Sequence, residues 1–403
     1  MDTPLPISRP IPLTLKRKAR PRRLRWVAGL GAAGVGTAVA AWVLVHSTSW
    51  AGPLVSDTLR AALGPTAVAR LQDFVYGIED RVNLVTRSDE VPAAHWEVPS
   101  NPLGFETVLT PYAFSPTDVG PVHADHAAPG DGVWVPARPD DGGGPPLIYK
   151  TLLHPDPMRA WAEVFVTAVD LERTELHLMP GTLEPRATSH EDRQWARTQG
   201  IIPEADRGRL VAAFNGGFKA EHGHYGMQVG NRQLLAPRDV GCTVVHQTSG
   251  DLTIGTWTNV ASEAASSTWW RQAPPCMVED GELHEGLRDD ATTWGATLQG
   301  STVIRRSAIG LSEDGRTLFV AISNHTTAPA IATAMQHAGA TRVAQLDVNW
   351  SHTRFVVFDE VASGARSARG LFEGFVTEPG MYTEQPYTRD FFYVTRRSAA
   401  SQL

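Results

Sequence analysis

Cysteine is nearly absent from this chain: Cys242 and Cys276 are the only two. Two cannot build a disulfide framework, and no Cys-x-x-Cys pair points to zinc or redox work. One 242–276 bridge and two buried free thiols are the readings that stay open. A basic excess is also missing, since 36 Lys and Arg stand against 43 Asp and Glu. The first 50 residues hold eight basic residues and one acid, so the rest carries −14 of an overall −7. A body of that sign excludes a nucleic-acid partner, which needs a basic face. There is no internal repeat, and low complexity is limited to Gly142-Gly143-Gly144-Pro145-Pro146. With 42% hydrophobic and 20% charged residues, a sizeable core is expected and global disorder is not.

Long hydrophobic runs are lacking with one exception. Trp26 to Val45 carries no charge and follows Lys16, Arg17, Lys18, Arg20, Arg22, Arg23 and Arg25. At about 1.5 Å per residue such a run crosses a bilayer as a helix. Basic residues before it put the N-terminus in the cytoplasm and the body outside. The segments expected are a basic cytoplasmic leader (1–25) and a single transmembrane helix or signal anchor (26–46). Small residues at Ser49-Trp50-Ala51 also allow a cleaved secretory signal. A juxtamembrane helical segment (47–90) follows. In it Val68, Leu71, Phe74, Val75, Ile78 and Val82 form one apolar stripe from Pro65 to Val85. Packing on the body is the expected fate of that stripe, and lying along the membrane surface is the alternative.

Residues 91–146 are rich in proline and glycine yet hold Trp96, Phe105, Tyr112, Phe114 and Trp134. So many aromatics predict a loop region draped over the main domain. That domain is expected over 147–397. Strands read at Ala162–Val169, Glu175–Met179 and Leu210–Phe214, with a capping box at Ser189 and Asp192. Hairpins turn at Gly230-Asn231, Ser249-Gly250-Asp251 and Asp280-Gly281. Thr317–Ile322, an alanine-rich helix at Ala328–His337 and Arg342–Val348 make a right-handed parallel crossover. Arg354–Phe358 and Asp390–Val394 are further strands. The fold class is therefore α+β: a mixed β-sheet with hairpins and a C-terminal β-α-β crossover, preceded by one transmembrane helix.

Val211-Ala212-Ala213-Phe214-Asn215-Gly216-Gly217-Phe218 is a buried strand that ends abruptly. Asn215 falls at its tip, and Gly216 and Gly217 suit close approach of a ligand to the backbone. A plain strand-to-loop turn is the competing reading. Arg305-Arg306-Ser307-Ala308-Ile309-Gly310, the strand Leu318–Ile322, Gly339-Ala340 and Leu346-Asp347 follow in order.

With these blocks in that order, residues 147–396 resemble the phosphodiester glycosidase domain family. The family includes enzymes that remove N-acetylglucosamine from a sugar phosphodiester, together with many bacterial envelope proteins. After the Leu-Asp strand the family runs Gly-Gly-Gly-Ser-Ser or close to it. Here the chain reads Val348-Asn349-Trp350-Ser351-His352. The resemblance implies a hydrolase acting on a sugar-1-phosphodiester in an envelope glycan or sugar-phosphate polymer. The filled corner instead favours a non-catalytic envelope module that binds glycan or protein.

Cleaving such a bond needs a carboxylate for the anomeric centre or attacking water and a cationic cradle for phosphate. Asp347, at a strand end, is the first carboxylate, and Glu221 the second; a turn cap and a solvated loop acid are their plainer readings. Asn215 would orient substrate. Of Arg305 and Arg306 only one can face the site, and Arg306 is taken to hold phosphate. His222 and His224 with Glu221 resemble a metal pair, but only His352 could be added, so no metal or other cofactor is expected. His224 is then a proton-handling or sugar-contacting group. Asn324, with His325, Thr326 and Thr327, either caps the alanine-rich helix or helps dock phosphate at its N-terminus. Trp350 would stack on a sugar, and Asn349 completes the pocket.

Overall fold

A computed structural model describes residues 65–88, 90–98, 114–138, 145–289, 291–294, 303–360 and 366–397. The predicted span 26–46 lies outside them, and no described helix is long and apolar enough to cross a membrane.

Helix α1 (Pro65–Thr86) comes first. Strands β1 (Val135–Pro136), β2 (Ile148–Leu153), β3 (Val164–Asp170) and β4 (Thr174–Met179) follow. Helix α2 (His190–Ala196) opens where Ser189 Oγ accepts from the Asp192 amide at 3.0 Å, as the capping box predicts. Next are β5 (Leu210–Asn215), β6 (Met227–Val229), β7 (Arg232–Leu235), β8 (Cys242–Gln247) and β9 (Leu252–Thr256). Then come α3 (Trp257–Ala265), β10 (Ser267–Ala273), β11 (Val278–Glu279), β12 (Glu282–Leu283), β13 (Ile304–Leu311) and β14 (Thr317–Thr326). The chain closes with α4 (Ala328–His337), β15 (Arg342–Gln345), β16 (Phe355–Glu360), β17 (Arg366–Gly370) and β18 (Phe391–Arg396).

The described strands form three sheets. The largest runs β1-β2-β3-β14-β13-β15-β11-β12; the others run β7-β6-β10-β8-β9 and β17-β16-β5-β18-β4. All three expected hairpins form, as β6–β7, β8–β9 and β11–β12. The expectation of a mixed sheet is corrected. Among the described residues neighbouring strands pair antiparallel, and the one parallel contact is an isolated bridge between Asp131 and Leu152. β14, α4 and β15 do make a parallel crossover. However, β13 lies between the two strands, antiparallel to both, with Ala308 opposite Ala321 on one side and Gln345 on the other. The β13–β14 hairpin fills the slot that a directly paired crossover would use.

Strand alternation divides the burial. Leu318, Val320 and Ile322 of β14 face a central core shared with Phe214, Val357 and Phe392 of one small sheet and Val244, Ile254 and Trp269 of the other. Phe319 and Ala321 face the opposite way, onto Ile331, Ala332 and Met335 of α4. The small alanines of α4 let it lie close on the sheet. Gly339, at φ +107°, then reverses the chain into β15. Residues 90–98 and 114–138 cover the large sheet. Trp96 sits on Phe165 and Phe372, and Phe114 on Tyr149.

Val68, Leu71 and Phe74 of the expected stripe lie outside the described side chains; from Val75 on, helix α1 is turned the opposite way from the first expectation. Its polar side meets the body: Asp80 takes both Arg159 nitrogens at 2.7 Å, and the Arg87 guanidinium lies 5.2 Å from the Trp161 ring. Ile78, Val82 and Val85 are exposed. The body offers α1 an arginine and an indole at this edge, so ion pairing and stacking decide its rotation.

Cys242 and Cys276 form a disulfide between β8 and the segment leading into β11, with Cα atoms 4.6 Å apart. Intact protein unfolded without reductant should therefore give no alkylated cysteine, and two after reduction. The Cys242→Ser/Cys276→Ser double variant should lose about 4 kcal/mol of stability in denaturant unfolding, in line with a loop of this size.

Candidate functional site

Several strand tips meet at one edge. β5, β14 and β15 end there, and β13, β16 and β18 begin there, because their pairings are antiparallel. Asn215 is the last residue of β5 and only 2% exposed. Its amide donates to Ser307 Oγ at 2.8 Å, and its carbonyl oxygen accepts from the Arg354 amide at 3.2 Å. Ser307 donates onward to the Asp347 carbonyl at 2.9 Å. The Asp347 amide donates to the Gly216 carbonyl at 3.0 Å. Residues 215 and 347, distant in sequence, thus share one hydrogen-bonded corner.

The Asp347 carboxylate is 4% exposed as a residue and pairs with Arg389, Nη2 to Oδ2 at 2.7 Å. Next in the chain, Asp390 pairs with Arg271 of β10 at 2.9 Å, both fully enclosed. Asp390 also accepts the Gly217 amide at 2.9 Å. Burial works against the Arg389 charge, yet Asp347, Asp390 and Glu184 together raise its pKa. Arg389 Nε and Asp390 Oδ1 are buried without a partner among the described residues. Such groups are costly in a closed core and suit a site that receives a polar ligand or water.

The glycine pair serves this ion-pair system. A Cβ on Gly216 would lie 2.4 Å from Asp390 Oδ2, and one on Gly217 2.7 Å from Arg271 Nη2. Both positions are glycine because Asp390 and Arg271 occupy the space beside the backbone. The close approach at these glycines is made by Asp390 and Arg271.

Beside this corner, Asn349 Oδ1 accepts the Ser351 amide at 3.0 Å and shapes the turn after Asp347. Trp350 lies under the Arg305 guanidinium, 3.8 Å from its ring centre, with Phe375 at 4.7 Å on Arg305 as well. Arg305 donates to the Trp350 and Gly374 carbonyls, and Arg354 to the Ser351 and His352 carbonyls. These arginines bond carbonyl oxygens rather than carboxylates, and Arg305 Nε is buried without a partner among the described residues, so the edge keeps positive charge. His352 bonds Tyr387 Oη at 2.6 Å. Burial first, then Arg389, Arg354 and Lys219, push its pKa well below the usual imidazole range.

Three of the sequence-predicted site residues, Arg306, Glu221 and His224, stand apart. Arg306 is fully buried on the other side of β13. It donates to the Trp294 and Thr326 carbonyls and to Gln345. Alternation along β13 turns Arg305, not Arg306, to the edge, so Arg306 points away from the Asp347 corner. Glu221 is exposed on the 218–224 loop, 3.7 Å from Lys219 and 3.5 Å from His222. His224, at φ +50°, lines a separate groove of about 550 Å³ with Thr188, Leu235, Pro237 and Arg238. Asn324 sits at the end of β14 against Gly374, on the Arg305 side, while Thr327 caps α4. A larger groove, about 700 Å³, lies at the opposite strand ends between Leu171, Arg173, His246, Gly250, Arg316 and Arg397. It shares no lining with Asp347. Among the described residues no three His, Cys, Asp or Glu side chains are grouped to hold a metal.

Sequence reasoning passed over Arg389, Asp390, Arg271 and Arg354. The available signal was Arg389-Asp390, two opposite charges directly before the apolar strand Phe391–Val394. Charges that fold into the interior at a strand mouth must find partners.

Residues 208–370 match the phosphodiester glycosidase family. Among solved structures, the catalytic domain of zebrafish N-acetylglucosamine-1-phosphodiester alpha-N-acetylglucosaminidase, auto-inhibited by its pro-peptide, is similar at 13% identity and a TM-score of 0.41. That match covers 64% of this chain and 86% of the other. A hypothetical protein from Synechocystis is similar at 13% identity and a TM-score of 0.36, over 62% of each chain. No curated protein matches the chain by sequence.

Arg389→Met leaves the Asp347 carboxylate enclosed and unpaired, so it should cost about 3–5 kcal/mol in denaturant unfolding. The double variant Asp347→Leu/Arg389→Met should recover most of that loss. Separately, His352 has a folded pKa below its unfolded value of about 6.5, so the unfolded chain binds more protons there. Stability should rise with pH through this range and be lost as pH falls below about 6.5. His95, His177 and His246, all lowered first by burial, act in the same direction. His352→Gln should flatten the slope between pH 7 and 5.5 in a series of unfolding curves.

Proposed function

From the match of residues 208–370 to the phosphodiester glycosidase family, we propose that this chain hydrolyses a sugar-1-phosphodiester. It is held at the cell membrane by residues 26–46, with the main domain outside the cytoplasm. The substrate is an envelope glycan or sugar-phosphate polymer. The observation that carries the reading is the Asp347–Arg389 pair, a carboxylate and a planar cation 2.7 Å apart beside Asn215 and Ser307. The reaction needs one group of each kind. Arg389 takes over the phosphate role first given to Arg306, with Arg305 and Arg354 adding positive field. Phosphate oxygens reaching Arg389 compete for its fork and release Asp347 towards the anomeric carbon.

In that arrangement Asp347 takes a proton from the attacking water as the water oxygen bonds to C1. The C1–O bond breaks, and its electron pair leaves on a phosphomonoester that needs little protonation. Asn215 holds the loop that presents Asp347. The disulfide supports an oxidising compartment, where such bonds persist. The uncharged run from Trp26 to Val45 supports the anchor.

One observation favours a binding module instead: Asp347 is closed in by Arg389, and Val348, Asn349 and Trp350 occupy the corner. The two readings separate in one assay. Full-length protein in detergent, offered methyl esters of several sugar 1-phosphates, should release free reducing sugar. Asp347→Asn should lower that rate by about a hundred- to ten-thousand-fold. Saturable binding with no sugar released from any ester would select the binding module.

A further inference from the structure

We propose that α1 rests on the surface of a lipid bilayer, with Ile78, Val82 and Val85 dipping into the headgroup boundary. Its opposite face meets the body at Arg159 and Trp161, with Tyr76 towards Arg305. This inference rests on the anchoring reading above.

An amphipathic helix on a globular body normally turns its apolar stripe inward. α1 does the reverse. Ile78, Val82 and Val85 fall within one sector of the helix and are 45%, 53% and 81% exposed. Tyr76 and Asp80 fall on the opposite sector and, with Arg87 just past the helix end, face the body. Asp80 grips Arg159 with two bonds of 2.7 Å, Arg87 stacks on Trp161, and Tyr76 lies within electrostatic reach of Arg305. The polar contacts fix the rotation of the helix, so the apolar sector is held outward. Contiguous exposed apolar surface of this kind marks an interaction site.

The occupant is argued from the chain that precedes α1. Residues 26–45 form the one uncharged run long enough to cross a bilayer. Residues 46–64 then link it to α1, and fully extended they reach no farther than about 65 Å. A body tethered so closely keeps α1 near lipid. Arg81, exposed on the flank of the stripe, is placed to meet lipid phosphate. An apolar stripe with a basic flank is what an interfacial helix requires. The consequence is orientation: the Arg305 and Trp350 end of the site, on which α1 lies, faces the membrane.

The test uses the full chain with its native disulfide, reconstituted in vesicles of phosphatidylcholine and phosphatidylglycerol. An environment-sensitive fluorophore is placed at Val82→Cys and, as reference, at Glu313→Cys in the exposed β13–β14 turn. The label at 82 should emit blue-shifted and be quenched by spin-labelled lipid, while that at 313 is quenched only by aqueous iodide. Equal iodide quenching at both positions would overturn the proposal, as would disulfide cross-linking of unlabelled Val82→Cys between copies. Alkaline carbonate extraction separates the two readings. Release of the chain from the vesicles defeats anchoring and docking together. Retention with a water-exposed label at 82 defeats docking alone.

Discussion

Two adjacent residues of opposite charge tie the three sheets together. Arg389 and Asp390 stand directly before β18 of one small sheet. Arg389 reaches Asp347, just past the end of β15 in the large sheet, at 2.7 Å. Asp390 reaches Arg271 of β10 in the other small sheet at 2.9 Å. All four are buried. Removing one partner strands a charge in the interior, whereas the intact pairs fix where the sheets stand relative to one another. The glycines at 216 and 217 follow from this arrangement, because no larger residue fits beside the Asp390–Arg271 pair.

The candidate chemistry grows out of the same arrangement. Asp347 is held in place by Arg389, by the Gly216 carbonyl at its amide, and by Ser307 and Thr353 at its carbonyl. The backbone at Asp347 is fixed from three sides, so its side chain starts from a set position when substrate frees it from Arg389, which favours positioned catalysis. Arg305 and Arg354, bonded to carbonyl oxygens, give the edge a positive field suited to a phosphodiester. The positive field also explains His352, whose imidazole is kept neutral by burial and by the arginines around it.

Much of this was legible in the chain. Hairpin turns, the alanine-rich α4 and the ends of β5 and β15 were marked by glycine, asparagine and apolar periodicity, which are local signals. That Asn215 and Asp347 meet followed from both standing at strand tips. The choice between Arg305 and Arg306 turned on a one-residue phase along β13, and the irregular register between Ile304 and Arg306 is not written locally. The roles of Arg389, Asp390 and Arg271 were hidden because each depends on a partner more than 40 residues away. The rotation of α1 was misread because periodicity finds a stripe without saying what faces it. Asp80 and Arg87 outweighed the stripe by finding Arg159 and Trp161.

The central claim is that Asp347 acts at the anomeric carbon while Arg389 holds the phosphate. Turnover of a sugar-1-phosphodiester in ¹⁸O-enriched water tests it most directly, read by mass spectrometry of both products. The account predicts the label on the sugar hydroxyl at C1 and none on the phosphomonoester. Label on the phosphate would mean that water attacked phosphorus, and would contradict the account.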